Sequence, residues 1–479
     1  MQRVWRPWAG CAALTALVTV FLLVGRLAAQ APGQSGGLLT PPVTPPNEVA
    51  PQLLSGPNGE VFRLWRRSRG FESGGEVFLA LASPQHAWQT VLETASSPSE
   101  PGVTALDPDV AFGSSKRVAL AYQWRRQRPR TKQIRLARSD DGGRTWTQSS
   151  TPVDTSGTAF APKLAWGRGQ TLVVVWADER AERNWDIYAR RSQDGGGTWE
   201  PPELLSRFPQ QTKADIYYRP EMISDGQDRF WAVWVGLRNG RSRVYLSQST
   251  DGGHTWTDPK PLSGSSVSVY GQRLVRSGER LLLTWQDSRT GKARIFAVAS
   301  SDGGVTWSSP DRVDHLAADS QASAGPPATV LGSDGEAFAV WQDGRNGRDD
   351  IYVGRSPDGG RTWETEDTRL DMDDPGTAVS RSPTIARGED GRVAVAWEDD
   401  RAGYERIYLR VRAPGNSAAW SPEMVLTPSG QGTKGAKTPS LLWGKAGALY
   451  VAWETWDFAR GPAVPPIQVD GRTLLLDKK

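Results

Sequence analysis

The sequence contains very little cysteine and histidine. Cys11 is the one cysteine among 479 residues, and His86, His254 and His315 are the three histidines. One thiol excludes an intramolecular disulfide, and three scattered histidines are too few for a His-based zinc site. Helical periodicity is also absent beyond the N-terminal segment. We therefore expect an all-β protein without a metal or a cofactor.

The N-terminal residues 1–31 have the pattern of an export signal. Arg3 and Arg6 precede an uncharged run from Ala9 to Gly25, and Ala29-Gln30-Ala31 fits the small-x-small cleavage rule. The rival interpretation is an uncleaved membrane anchor, although the run is at the short end for a membrane span. Residues 32–50 are rich in proline and glycine and are predicted to be a linker. We expect a secreted, periplasmic or membrane-anchored extracytoplasmic protein, which contacts a membrane only through this segment.

The charge balance gives no support for nucleic-acid binding. The chain has 57 Lys and Arg against 53 Asp and Glu, and three of the arginines lie in residues 1–31, which contain no acid. The predicted mature part is thus almost neutral, so we expect no nucleic-acid partner. We expect a monomer.

One pattern recurs along the chain, Ser-x-Asp-x-Gly-x-Thr-Trp. Its five full copies are Ser139–Trp146, Ser192–Trp199, Ser249–Trp256, Ser300–Trp307 and Ser356–Trp363. Degenerate copies end at Trp88 and Trp420, and the seven tryptophans lie 51–58 residues apart. A repeat of this length indicates a solenoid or a propeller. Glycines permit positive φ, and an Asp can accept hydrogen bonds from its own turn, so each copy predicts a hairpin with a structural role.

The sequence around each copy predicts four strands per repeat. A short run that opens with proline, such as Pro162-Lys-Leu-Ala, is followed by an apolar run that ends in an aromatic residue, such as Leu172–Trp176. A third strand such as Asp186–Arg190 leads into the hairpin and a short fourth strand. Four strands in about 55 residues is the size of a propeller blade. Residues 51–479 are therefore predicted to form a β-propeller, with eight blades as the literal count and seven as the alternative.

These repeats resemble the sialidase (BNR/Asp-box) superfamily over essentially the whole chain after residue 50. The resemblance implies a propeller whose Asp-box hairpins lie away from a site over the central axis. In that family three arginines hold the substrate carboxylate, a Tyr–Glu pair is the nucleophile, and an Asp is the acid/base. A planar guanidinium suits a carboxylate because it donates two parallel hydrogen bonds.

Carried over by motif, the resemblance gives a set of candidate residues. Arg63, in Phe62-Arg63-Leu64-Trp65, is nearest to the first family arginine but lacks the proline that follows it there. Arg219 and Arg381 stand close before a first-strand proline and are the other substrate-binding candidates. Tyr218 is the candidate nucleophile and Glu221 its partner. The alternative is structural: the arginines pair with carboxylates between blades and the tyrosines pack there.

Two further patterns are open to a structural or a functional interpretation. Trp-x-Asp-x-Arg occurs four times, starting at Trp176, Trp285, Trp341 and Trp397, and predicts either a loop-fixing ion pair or a polar ring that binds an oligosaccharide. Lys116 to Arg138 contains nine basic residues and no acid. This segment predicts either a solvated loop or an anion-binding one, with Arg126 as a substrate-binding candidate. Asp371, Asp373 and Asp374 are interpreted as surface acids in preference to a Ca²⁺ site.

Two classes of function follow. The first is an exported glycoside hydrolase of exo-sialidase type that removes terminal acidic sugars. The second is a non-catalytic propeller that binds glycans or proteins at the cell surface or in the periplasm. A hydrolase that uses two carboxylates on a similar scaffold is a third interpretation. An acidic glycan or another anionic ligand is the partner expected in either of the first two cases.

Overall fold

The computed structural model describes residues 48–56, 58–68, 75–82, 88–94, 103–127, 130–149, 151–181, 184–209, 215–317, 320–415, 419–427, 434–444, 447–457 and 467–475. Within these ranges every regular element except one isolated 3₁₀ position is a strand, turn or bridge. No helix in the described ranges is long and apolar enough to cross a membrane. The predicted export segment and most of the predicted linker lie outside the described residues.

The described strands form eight antiparallel meanders in chain order, here called sheets 1 to 8, and a parallel bridge between Trp185 and Ile216 joins the third and fourth into one eight-stranded sheet. Sheets 1 and 2 contain β1 (Glu48–Ser55), β2 (Val61–Ser68), β3 (Gly75–Ala82), β4 (Trp88–Thr94), β5 (Val103–Phe112), β6 (Val118–Arg126), β7 (Thr131–Ser139) and β8 (Thr147–Gln148). Sheets 3 and 4 contain β9 (Ala159–Trp166), β10 (Leu172–Ala181), β11 (Asn184–Ser192), β12 (Glu203–Leu204), β13 (Ile216–Ser224), β14 (Phe230–Arg238), β15 (Arg241–Ser249) and β16 (Lys260–Pro261).

The later sheets repeat the arrangement. Sheets 5 and 6 contain β17 (Val269–Ser277), β18 (Arg280–Asp287), β19 (Arg294–Ser300), β20 (Asp311–Arg312), β21 (Ala328–Leu331), β22 (Ala337–Asp343), β23 (Asp350–Ser356) and β24 (Thr368–Arg369). Sheets 7 and 8 contain β25 (Ser380–Arg387), β26 (Val393–Asp399), β27 (Arg406–Arg412), β28 (Met424–Val425), β29 (Lys434–Trp443), β30 (Ala448–Asp457) and β31 (Ile467–Leu475).

Each sheet is an up-and-down meander, and the all-β propeller class is confirmed. The strands pair in the order first, second, third and fourth, and among the described strands only sheet 8 stops at three. Its last strand, β31, pairs along its length with β30. Asp470-Gly471 continues this ladder opposite Trp453 and Ala452.

Neighbouring sheets pack face to face, and the last sheet contacts the first. The backbone N–H of Leu53 in β1 donates to Ser440 Oγ in β29 at 3.0 Å. Trp65 of sheet 1 and Trp453 of sheet 8 belong to one buried apolar cluster. The second strands lie between two neighbours and are buried on both faces, which explains their continuous apolar runs. Their tryptophans, Trp176, Trp234, Trp285, Trp341 and Trp397, are fully buried.

The Asp-box hairpins join third and fourth strands as predicted. In the box of sheet 4, Ser249 Oγ donates to Asp251 Oδ1 at 2.8 Å and accepts the N–H of Gly253 at 2.9 Å. Thr255 Oγ1 donates to Asp251 Oδ2 at 2.6 Å, and the Thr255 N–H donates to Oδ1 at 2.9 Å. Gly252 and Gly253 both have positive φ, at 77° and 84°. The carboxylate therefore replaces missing backbone partners of the turn and has a structural role.

The first strands differ from the prediction at their prolines. Pro162, Pro220 and Pro383 lie inside their strands and not at the start, because each strand begins several residues earlier. The register of each strand shifts at this point. The residue before the proline has positive φ: Ala161 at 50°, Arg219 at 54° and Ser382 at 51°. Each pair forms a β-bulge, which tolerates the missing N–H of proline inside a ladder.

Candidate functional site

The two edges of each sheet are chemically different. The Asp-boxes connect the end of the third strand to the fourth and define a lower edge. First-strand starts and third-strand starts meet at the opposite edge, here called the upper edge. Two parallel bridges between sheets, Lys132 with Thr158 and Trp185 with Ile216, join these starts. Residues near the starts of first and third strands in neighbouring sheets are therefore close in space, although far apart in sequence.

Arg219 lies on this upper edge, in the bulge of β13. Its guanidinium carbon is 3.9 Å from the ring centroid of Tyr270 in the next sheet and 5.7 Å from that of Tyr218. All three side chains are partly exposed. Cation–π stacking of this kind holds the guanidinium plane in place, and the Arg219 side chain also hydrogen-bonds Tyr270. Because the backbone φ at Arg219 is positive, the side chain is displaced from the normal strand alternation.

Tyr218 and Glu221 are on opposite sides of the bulge in β13. The Glu221 carboxylate lies 3.2 and 3.3 Å from Arg273 Nη1 of the next sheet, which makes an ion pair between sheets. Burial raises the pKa of the Tyr218 phenol, and Arg219 opposes this only in part. The described contacts therefore pair Glu221 with Arg273 and place Tyr218 beside Arg219.

The three candidate arginines lie in three different sheets and have different neighbours. Arg63 is 1% exposed, and its guanidinium lies between the rings of Trp65 and Trp88, at 4.7 and 4.9 Å. Trp88 is in the outermost strand of sheet 1, so this side chain packs within its sheet. Arg381 is 56% exposed, with its Nε 3.6 Å from Asp349 Oδ2. The structure thus brings Arg219 and Tyr218 together, packs Arg63 inside sheet 1, and places Arg381 of sheet 7 at the bulge-preceding position that Tyr218 has in sheet 4.

Arg126 lies at the end of β6, on the hairpin that contains much of the basic segment. Its guanidinium is 5.1 Å from the ring centroid of Trp124, and Arg135 stacks on the same ring at 4.2 Å. Trp124 packs with sheet 1. The side chains of Arg126 and Arg135 therefore face sheet 1, away from Arg219.

Three aromatic residues that were not among the predicted candidates, Phe160, Trp185 and Tyr270, complete the upper edge next to Arg219. Phe160 and Trp185 meet edge to face with centroids 5.1 Å apart, and Trp185 meets Tyr218 in the same way at 6.4 Å. With Tyr270 they form a partly exposed row across sheets 3, 4 and 5, here called the aromatic arc (Phe160, Trp185, Tyr218 and Tyr270). Phe160 and Tyr270 occupy the same bulge-preceding position as Tyr218. That correspondence is the sequence signal that could have found them.

The Trp-x-Asp-x-Arg pattern is structural in the sheets where its arginine is described. Asp287 is fully buried and accepts the indole N–H of Trp285 at 3.1 Å and the Arg289 backbone N–H at 2.7 Å. The Arg289 Nε donates to the same carboxylate at 2.8 Å, and its guanidinium stacks on Phe296 at 4.1 Å. The patterns that start at Trp341 and Trp397 repeat the ion pair and the stacking. Carboxylates this deeply buried cannot form an exposed sugar-binding ring.

Acidic groups elsewhere are engaged by neighbouring residues. Asp350, Asp371 and Asp373 place carboxylate oxygens close enough for a metal ion. Arg369 Nη2 donates to all three, at 3.1, 2.9 and 2.8 Å, and so supplies the positive charge. Burial raises the pKa of Glu398, and its Oε2 accepts the N–H of Thr438 in the neighbouring bulge at 2.9 Å. This hydrogen bond links sheet 7 to sheet 8.

Comparison with protein families gives one match. The model of the BNR repeat-like domain matches residues 59–285 and 170–395. The two matches overlap and extend from the first described sheet to the seventh. Comparison with curated proteins gives no match.

Several solved structures are similar at low identity. The GH93 alpha-L-arabinofuranosidase of Fusarium graminearum is 18% identical, with 67% of this chain and 94% of that chain covered and a TM-score of 0.37. The leech intramolecular trans-sialidase is 12% identical, with 90% and 92% covered and a TM-score of 0.38. The NanB sialidase from Streptococcus pneumoniae is 12% identical, with 90% and 93% covered and a TM-score of 0.36. Likenesses this distant carry no argument about activity.

Proposed function

Because the chain belongs to the BNR repeat-like domain family, we propose that it is a carbohydrate-recognising propeller that binds an acidic sugar on its upper edge. The observation that carries the proposal is the placement of Arg219. Its guanidinium is held at 3.9 Å over Tyr270, beside Tyr218, and the group is partly exposed. A carboxylate can receive two parallel hydrogen bonds from the guanidinium edge while the sugar ring packs against the neighbouring aromatic faces.

The same geometry favours binding over hydrolysis of the sialidase type. Glu221 is neutralised by Arg273, and burial raises the pKa of Tyr218, so the pair is poorly suited to nucleophilic attack. Arg63 is buried between two tryptophan rings within sheet 1. We therefore favour the non-catalytic alternative for this chain. Arg219 and the aromatic arc serve as its binding surface.

Export belongs to the same proposal. The basic N-terminus, the uncharged run from Ala9 to Gly25 and the small-residue site that follows are typical of a segment that directs a chain out of the cytoplasm. Surface glycans are found outside the cytoplasm, so the location and the ligand class agree. Expression of the full chain with one tag at each end would distinguish a removed signal from a retained anchor, because cleavage separates the N-terminal tag from the rest of the protein.

The experiment is a calorimetric titration of the purified protein with 3'-sialyllactose, with lactose as the neutral control. We expect binding of the acidic sugar only. Arg219→Ala should weaken binding at least tenfold, since a charge-assisted pair contributes about 1.5–3 kcal/mol. The matched control is Arg144→Ala, which removes an exposed arginine from an Asp-box on the lower edge and should leave the affinity unchanged.

A fluorogenic sialoside assay on the same samples separates the two classes of function. The proposal predicts no release of the fluorophore, either by the unmodified protein or by Tyr218→Phe. Release that Tyr218→Phe abolishes would overturn the non-catalytic assignment. Equal affinity for 3'-sialyllactose and lactose, or an Arg219→Ala variant that binds normally, would reject the binding site.

A further inference from the structure

The aromatic arc does not end at Phe160. Lys132, at the start of β7, places its Nζ 4.9 Å from the centroid of the Phe160 ring. Arg125 is the cross-strand partner of Lys132 in sheet 2, so both side chains are on the face of the sheet that looks toward sheet 3. The partly exposed groups thus follow one another from Arg125 and Lys132 through Phe160, Trp185 and Tyr218 to Arg219.

The two ends of this row are cationic and its middle is aromatic. Arg125 and Lys132 are at one end, and Arg219 is at the other. Lys132 also lies 3.4 Å from Glu179. The pair is only partly buried, because the Lys132 side chain is 15% exposed and that of Glu179 is 39% exposed, and a second anion can approach Lys132 from the solvent side. Consecutive contacts along the row are 4.9, 5.1, 6.4 and 5.7 Å, so the row is longer than one sugar ring.

A single acidic sugar can use only one end of such a row. A chain that carries acidic groups on successive sugars can pair with Arg219 and with the Arg125–Lys132 pair, while its rings pack on Phe160 and Trp185. We propose that the ligand of this protein is a polyanionic glycan chain, bound along the aromatic arc between these two cationic ends. The inference rests on the proposed function and specifies the length and charge of its ligand.

The test is a titration with homo-oligomers of sialic acid of one, three and six units, at low and at physiological ionic strength. We expect the affinity to rise at least tenfold from one unit to six, and the gain to shrink as salt screens the charges. The double variant Arg125→Ala/Lys132→Ala should bind the single unit like the unmodified protein and lose the gain with length. The matched control is Arg135→Ala, which removes a charge from the same hairpin on the face toward sheet 1 and should keep the gain.

The outcomes separate the two proposals. If the single unit fails to bind, the proposed function fails. If the single unit binds in an Arg219-dependent manner and longer chains bind no better, only the polyanionic-chain inference is overturned. Equal loss of the length effect in Arg135→Ala would overturn it as well, because overall charge would then explain the gain. A single-stranded oligodeoxynucleotide of equal charge should compete poorly, and equal competition would also reject glycan recognition along the arc.

Discussion

The substitution Asp287→Ala tests whether the Trp-x-Asp-x-Arg pattern stabilises the fold. Asp287 is fully buried and accepts hydrogen bonds from the indole of Trp285 and from the backbone and side chain of Arg289. Alanine would leave the Trp285 N–H buried without its partner, and Trp285 is itself 0% exposed. Losing a buried partner costs about 1–3 kcal/mol.

The ion pair adds to this loss. Breaking a fully buried pair costs about 3–5 kcal/mol. The Arg289 side chain is 23% exposed, however, and can regain part of its hydration in the variant. We therefore expect Asp287→Ala to lower the free energy of unfolding by about 3 kcal/mol, a value near the lower end of the range for a buried pair.

Asp258 offers a matched control with the same chemistry and the opposite exposure. Its carboxylate accepts from Arg207 Nε at 3.0 Å, and its side chain is 90% exposed. Asp258→Ala should change stability by less than about 1 kcal/mol. Guanidinium denaturation followed by tryptophan fluorescence measures both variants. Equal and small losses in the two would refute the assignment of the buried pattern to fold stability.

Three further predictions concern pH and the hairpin glycines. The Thr198 N–H and other hydrogen bonds lower the pKa of Asp194 to about 2, against an ordinary 3.8. The stabilisation of the fold by this carboxylate should therefore be present above pH 4 and disappear as the pH falls toward 2. Asp194→Asn should flatten the profile of melting temperature against pH in that range. Burial raises the pKa of Asp371, and the neighbouring Asp350 adds to the rise, so ionisation of Asp371 opposes folding as the pH rises above 4. The melting temperature of Asp371→Asn should therefore gain on that of the unmodified protein between pH 5 and pH 8, and a constant difference would contradict this. A Cβ at Gly253 would lie 2.5 Å from Val173 of the preceding sheet, whereas one at Gly278 would meet nothing within 4 Å. Gly253→Ala should therefore cost about 1–3 kcal/mol more than Gly278→Ala in chemical denaturation, and equal losses would mean that inter-sheet packing at the Asp-box is loose.

The sequence predicts those parts of this fold that are local. The Asp-box turn, its positive-φ glycines and its carboxylate network all lie within eight consecutive residues. The apolar second strands are equally clear, because burial on both faces leaves a continuous apolar run. In contrast, the position of Pro162 inside a strand depends on a bulge, which needs a backbone conformation that most residues before proline avoid.

The site was less predictable because its contacts join separate sheets. Phe160 and Trp185 lie within one repeat, but Trp185 meets Tyr218, and Arg219 meets Tyr270, across sheet boundaries. Spacing along the chain does not reveal which side chains a ring of sheets brings together. Arg63 shows the opposite case. A motif match predicted it in the site, whereas its guanidinium packs between Trp65 and Trp88 in sheet 1.

The central claim is that an acidic sugar binds on the upper edge, at Arg219. A crystal structure of the protein with a bound sialic acid oligomer tests it most directly. We predict a sugar carboxylate within hydrogen-bonding distance of the Arg219 guanidinium, with sugar rings lying along Tyr218, Trp185 and Phe160. A sugar bound at the Asp-box edge, or one on the upper edge that makes no contact with Arg219, would contradict it.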